Sequence, residues 1–272
     1  MKILKISLCV LGLLSFNAFA DNQIIKIAAS PVPHAEILKQ IKPILEKEGI
    51  DLQITEFNDY VQPNLAVAQG SMDANFFQHL PYLTVFNKQH GTNLVELIGV
   101  HVEPMGIYAS GNKNLVDFIK TKSLAKLPKN TQLTVGLPND ATNEGRALLL
   151  LQKNGFIKLK TGVAFPTVSS VSSNLYGLKF VEIDPAMLPR MLLSKQLDFA
   201  VINSNYAIPA NLNPIKDAVF IEDAKSPYVN IVAVRPEELK EPKMKKLADA
   251  LHSVVIKNYI KQQYKGAIVP AF

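Results

Sequence analysis

Short β-branched runs alternate with amphipathic stretches along nearly the whole of this 272-residue chain, and that alternation leaves few folds open. Residues 24–29 and 51–57 read as buried strands. Between them Ile37, Leu38, Ile41, Ile44 and Leu45 recur at helical spacing, with Gly49 placed to stop the helix and Pro43 expected to kink it. Strand, helix, strand over about thirty residues is a βαβ unit, because parallel strands need such a crossover. The pattern continues with helices over 61–69 and 81–89 and strands over 74–78, 94–102 and 106–110. A second series begins after Lys113, with strands over 131–137, 178–183, 199–203 and 228–234 and helices over 141–154 and 185–195. The tail from Pro236 to about Tyr264 reads as helical, with a break at Glu241-Pro242. Two such series predict an α/β protein of two lobes, each an open sheet covered by helices. Ligands of open α/β sheets bind beyond the carboxyl ends of the strands, so the residues just after each strand are the ones to inspect.

The first twenty residues read as an export leader to be set aside from the fold. Lys2 and Lys5 precede an apolar core over 6–16, and Ala18-Phe19-Ala20 has the small-x-small pattern of a cleavage site. The apolar core is too short for a bilayer span of ~20 residues, and no other segment is apolar for 18 residues. Removing 1–20 leaves 252 residues, a formal charge of +4 instead of +6, and no cysteine, since the single Cys9 lies in the leader. Disulfides are thus not expected to hold the fold, although an oxidising compartment would permit them. Asp21, not a cysteine, follows Ala20, so the sequence argues for a periplasmic protein without a lipid anchor. Lysines are spread along the chain apart from 240–246, a run that suits a solvated helix face better than a nucleic-acid patch.

Residues at the ends of five strands carry chemistry. After 131–137, Pro138 stops the strand, Asp140 can cap the next helix, and Arg146 lies one to two turns in. A guanidinium near a helix N-terminus suits a carboxylate ligand, because it adds a fork to free backbone donors. A surface ion pair of Arg146 with Glu144 or Asp140 is the competing reading. At 73–82, Phe76, Phe77, His79 and Tyr82 crowd the end of a strand; alternation sends Phe76 and Phe77 to opposite faces, and core packing of both is the alternative. Tyr60 follows the strand 51–57 in an equivalent place, and aromatic faces suit an apolar or thioether chain. Asn203 and Asn230 end or interrupt apolar runs, and a buried amide there is either tied to the backbone or open to a ligand.

The strings FNDYVQPN, DANFFQHLPYL, PNDATNEGRALLLLQKNGFIKLK, AVINSNYA and SPYVNIVAVR occur in the order and context found in the methionine-binding proteins of the NlpA lipoprotein family, which the chain resembles through nearly all of its mature length. The resemblance implies a two-lobed periplasmic-binding-protein fold, of the Venus-flytrap, type II-like kind, with two hinge crossovers. It places residues 21–107 and 230–272 in the first lobe and 108–229 in the second. It implies that Arg146 pairs the ligand carboxylate, that Asn203 and Asn230 bond its amino and carboxylate groups, and that Asn143 assists. Tyr60, Phe77, His79 and Tyr82 would surround the thioether chain. The implied partners are L-methionine and an ABC permease with its ATPase, the latter on a separate chain because no nucleotide motif occurs here.

Two other readings bear weighing. Enzymes occur on the same fold, but this chain has no G-x-S-x-G elbow, no cysteine after the leader and no paired-carboxylate motif in the expected cleft, so no catalytic residue and no cofactor are expected. A metal carrier would use His34, His79, His90 and His101; they form no H-x-H or H-x3-H pair, and Pro81 and Gly91 interrupt any shared helix.

Overall fold

The computed structural model describes residues 23–123, 125, 131–223 and 225–272; the expected leader, with Cys9 and Asp21, lies outside them. The chain opens with β1 (Gln23–Ala29), α1 (Glu36–Glu46) and β2 (Ile50–Glu56), the expected βαβ unit, with β1 and β2 parallel. Pro43 sits inside α1, which runs on past it to Glu46. Then come α2 (Gln62–Ala68), β3 (Ala74–His79), α3 (Leu80–His90) and β4 (Val95–Val102). Glu103, Pro104 and Met105 carry the chain to a second sheet, which begins with β5 (Gly106–Ala109). Gly106 and Ile107, grouped with the first lobe from sequence, therefore pair in the second sheet.

The second unit continues through α4 (Lys113–Thr121), β6 (Thr134–Pro138), α5 (Ala141–Lys153), the short hairpin β7 (Lys158–Leu159) and β8 (Val171–Ser173), then β9 (Lys179–Ile183) and α6 (Leu188–Leu193). It closes with β10 (Phe199–Ile202), α7 (Ser204–Ala207) and β11 (Phe220–Ile221). Residues 222–228 return the chain to the first sheet as β12 (Val229–Val234), followed by α8 (Pro242–Leu251), α9 (Val254–Tyr264) and β13 (Val269–Pro270). The helical tail has its expected break at Glu241, which is extended between a short turn over Pro236–Lys240 and α8, and a second at His252-Ser253, where Ser253 caps α9 by accepting from the Ile256 N–H.

The first sheet has the order β13-β4-β12-β3-β1-β2 and the second β11-β5-β10-β6-β9. In the first, β12 runs antiparallel to both β3 and β4, so the returning chain is seated in the middle of the sheet. Burial explains why these elements form. Ile37, Leu38, Ile41 and Leu45 of α1 face Ile25 and Ile27 of β1, with Met244, Leu247 and Leu251 of α8 and Ile256 and Ile260 of α9 in the same core. Each such side chain contributes about 1.5–3 kcal/mol by leaving water. The second unit buries Leu115 and Phe118 of α4, Leu148 and Leu151 of α5 and Phe156 against Val135, Phe199 and Val201 of its sheet. Gly136 in β6 lets the core close in: a Cβ there would lie 2.5 Å from Leu197 Cδ1 and 2.8 Å from Leu188 Cδ2, so both leucines would have to shift. Two separate cores, joined by two crossovers, leave a cleft between them.

A candidate ligand-binding cleft

β6 ends at Pro138, and Asp140 caps α5 by accepting from the Asn143 N–H at 2.9 Å. The same carboxylate takes both Thr142 Oγ1 and Asn143 Nδ2, so the Asn143 amide is locked with its oxygen turned the other way. That oxygen accepts from Asn203 Nδ2 at 2.9 Å and faces His79 Nε2 at 3.3 Å. His79 is the N-cap of α3 and its Nδ1 accepts from the Tyr82 N–H, which leaves the proton on Nε2 to donate across the cleft. Burial, and then the positive charge of Arg146, push the His79 pKa down to about 3, so the ring is neutral.

Arg146 lies on the inner face of α5 and is 3% exposed. Neither partner weighed from sequence holds it. Asp140 is spent on the cap, and Glu144 accepts from the Val168 N–H. Glu222, just beyond β11, takes the Arg146 Nε and Nη2 donors at 2.9 and 2.5 Å, and the Glu103 carbonyl accepts from Nη2 at 2.7 Å. The Tyr228 ring lies 4.3 Å over the guanidinium. Nη1 has no protein partner among the described residues, and Arg146 lines the cavity.

Strand alternation sorts the two phenylalanines. Phe76 is fully buried in the core beside His34, whereas Phe77 stands with Tyr60 and Tyr82 in an aromatic wall, ring centroids 5.8 to 5.9 Å apart. The wall is pinned by its hydroxyls: Tyr82 donates to the Tyr60 carbonyl, and Tyr60 to Asn205 Oδ1 on the opposite lobe at 2.6 Å. Tyr206 likewise reaches the Asn58 carbonyl at 2.9 Å. With these bonds across the gap, the two lobes are closed.

Asn230 sits in β12 at a β-bulge, where its register with β4 shifts, and a bulge re-aims a side chain out of the sheet. Its Oδ1 lies 2.9 Å from His34 Nε2. Among the described residues Asn203, just after β10, keeps a buried Oδ1 with no partner, and Asn205 keeps an unpartnered Nδ2. Tyr60, Phe77, His79, Tyr82, Asn143, Arg146, Asn203 and Asn230, all eight residues singled out from sequence, line one cavity with an empty volume of about 300 Å³. Gln78, Glu103 and Asn205 also line it and were not foreseen. Glu222 was missed too. Each is recruited from 43 to 145 residues away in sequence, except Gln78, which neighbours His79, so only the position of Gln78 at a strand end could have signalled it.

Of the four histidines weighed as metal ligands, His79 faces the cavity and His90 stacks on Phe86, centroids 4.1 Å apart. His34 and His101 do meet, with Glu103 between them: Glu103 Oε1 is 3.1 Å from His34 Nε2 and 2.7 Å from His101 Nε2. Among the described residues no helix is long and apolar enough to cross a membrane.

Two α/β lobes, tied by two crossovers and shut over a cavity with amides and a guanidinium on one side and aromatic rings on the other, define a periplasmic binding protein. The chain belongs to the NlpA lipoprotein family, whose profile matches residues 25–272. It is 38% identical over 258 residues to the methionine-binding lipoprotein MetQ of Bacillus subtilis (strain 168), covering 93% of this chain and 90% of that one. It is 41% identical over 236 residues to the D-methionine-binding lipoprotein MetQ of Escherichia coli (strain K12), covering 86% and 82%. Among solved structures, a nutrient-binding protein from Burkholderia cenocepacia bound to methionine superposes with a TM-score of 0.82 at 43% identity, over 91% of this chain and all of that one.

One expectation is corrected by these relatives. The sequence argued against a lipid anchor, but the family and its members are named lipoproteins, which points to a lipid-anchored extracytoplasmic protein. Asp21 follows Ala20 where a lipid-anchored chain would carry its cysteine, and the single Cys9 lies within the apolar run behind Leu8.

Proposed function

We propose that the chain is an extracytoplasmic receptor that captures methionine between its lobes and delivers it to an ABC importer, without chemical turnover. The observation that carries this reading is the pairing of unspent polar groups with an aromatic wall in one cavity. Among the described residues, Arg146 Nη1 and Asn230 Nδ2 are donors without protein partners, suited to a carboxylate; Asn203 Oδ1 is a buried acceptor without a partner, suited to an ammonium. An orphaned buried acceptor costs about 1–3 kcal/mol, a penalty an amino acid relieves on binding. Tyr60, Phe77 and Tyr82 then receive the thioether chain, where sulfur–ring contacts are worth about 0.3–1.5 kcal/mol.

The cycle is a shift of population. The open form exposes both walls, methionine touches both only when they meet, and the closed form then dominates. The closed protein docks on a permease whose ATPase is a separate chain. Mass spectrometry of small molecules released on denaturing the freshly purified protein tests the reading: methionine is expected, and a different class of molecule, or turnover of an amino-acid derivative by the protein, would overturn it.

A further inference from the structure

Beneath the cavity lies a cluster that ligand contact does not explain. His34, His101 and Glu103 come from three places in the first lobe: the loop after β1, the end of β4 and the crossover that follows it. Both rings are fully buried and Glu103 is 5% exposed. Their ligating atoms lie within 4.8 Å of one another, which at first suggests a metal. The other ring nitrogens decide against it. A histidine that binds metal through Nε2 donates its Nδ1–H to an acceptor. Here His34 Nδ1 and His101 Nδ1 are buried with no partner, so a metal at Nε2 would strand two N–H donors. With the protons on Nε2 instead, His101 donates to Glu103 Oε1 at 2.7 Å and His34 donates to Asn230 Oδ1 at 2.9 Å while lying 3.1 Å from the same Glu103 oxygen, and each Nδ1 is a bare lone pair, the cheaper orphan.

The same proton fixes a third group. Glu103 Oε1, which faces His101 Nε2, also lies 3.1 Å from His34 Nε2 and opposes a bare lone pair there, so His34 carries hydrogen on Nε2; that hydrogen is directed to Asn230 at 2.9 Å, and the amide turns its oxygen inward. Its Nδ2 then faces away from His34 and meets no protein partner among the described residues, and Asn230 lines the cavity. Asn230 lies directly across from His101 in the pairing of β12 with β4, so the cluster and the amide are built on adjacent strands. We infer that His34, His101 and Glu103 are a buried positioning relay, which holds the Asn230 amide with its donor toward the ligand's carboxylate. Without the relay the amide can flip and present an oxygen to an anion. The inference rests on the reading of the cavity as an amino-acid site.

The test compares L-methionine with L-methioninol, which keeps the ammonium and the thioether but lacks the carboxylate, by titration calorimetry on the full chain. His34→Met, which cannot donate, is expected to weaken methionine binding about tenfold or more, the scale of one hydrogen bond to a charged group, and to change methioninol binding less than threefold. His34→Gln, which can donate to Asn230 Oδ1, is expected to recover most of the loss. Asn230→Ala serves as the reference. If Asn230→Ala is selective for the acid and His34→Met is not, the relay is wrong and the cavity reading stands; if Asn230→Ala weakens both ligands alike, the carboxylate assignment fails and the relay with it. A measurement on the unaltered protein is independent of any variant's folding: long-range ¹H–¹⁵N spectra are expected to show His34 protonated at Nε2, and an Nδ1–H tautomer would overturn the proposal.

Discussion

Replacing Arg146 by alanine is the most direct test of the proposed site, and the structure bounds its cost. Truncating one member of a buried charge pair at a binding surface costs about 2–5 kcal/mol. Here Nε and Nη2 are already committed to Glu222 and to the Glu103 carbonyl, so the ligand is offered Nη1 alone. One charge-assisted hydrogen bond is worth about 1.5–3 kcal/mol. The loss should therefore fall in the lower part of the wider range, about 2–3 kcal/mol, or roughly 30- to 150-fold in Kd at ~1.4 kcal/mol per decade. The variant also frees Glu222, 13% exposed at its side chain, to repel a carboxylate, which keeps the effect above the single-bond minimum. Calorimetry with L-methionine reads the Kd, and a thermal melt without ligand separates the cost to the fold. A loss of less than threefold in a folded variant would remove Arg146 from contact with the ligand and with it the placement of the carboxylate.

Asn230→Ala should weaken methionine binding severely, by tenfold or more, while Lys245→Ala, whose side chain pairs with Asp249 on the exposed face of α8, should leave Kd within threefold; equal effects would mean the cleft is misplaced. Phe118→Ala removes a fully buried ring from the second lobe's core and should cost about 3–5 kcal/mol in denaturant unfolding, with a cost under 1 kcal/mol refuting that core assignment. His79 is neutral when folded, with its pKa lowered to about 3 by burial and by Arg146, against 6.5 unfolded. As pH falls from 6.5 toward 3 the unfolded chain takes up a proton that the folded ring refuses, so stability falls across that window by up to about 1.4 kcal/mol per pH unit from this ring. His79→Asn should flatten that slope, and an unchanged slope would show that the ring is not held neutral.

What could be read from the chain and what could not divide along one physical line, the reach of a contact. The strand–helix alternation is a local property of hydrophobic spacing, and the βαβ start, the Asp140 cap and the stop at Gly91, whose φ of +66° suits glycine, all follow from neighbours a few residues apart. The cavity-lining side chains lie at strand ends because open α/β sheets end there, so residues such as Phe77 and Asn203 could be named before any coordinates. The short β7–β8 hairpin and the two-residue β11 left no periodicity to detect. The partner of Arg146 was not legible at all. Glu144 and Asp140 are nearer in sequence, yet their carboxylates serve backbone donors, and the guanidinium is claimed by a glutamate 76 residues away. The same holds for Asn230, whose orientation depends on a histidine 196 residues before it. Sequence spacing thus identifies which groups can reach a ligand, whereas the orientation of each group is set by distant partners that only the assembled fold supplies. Glu222 holds the guanidinium so that Nη1 remains, and His34 turns the amide so that Nδ2 remains. In both, a long-range bond uses up part of a polar group and thereby decides which atom is left for the ligand.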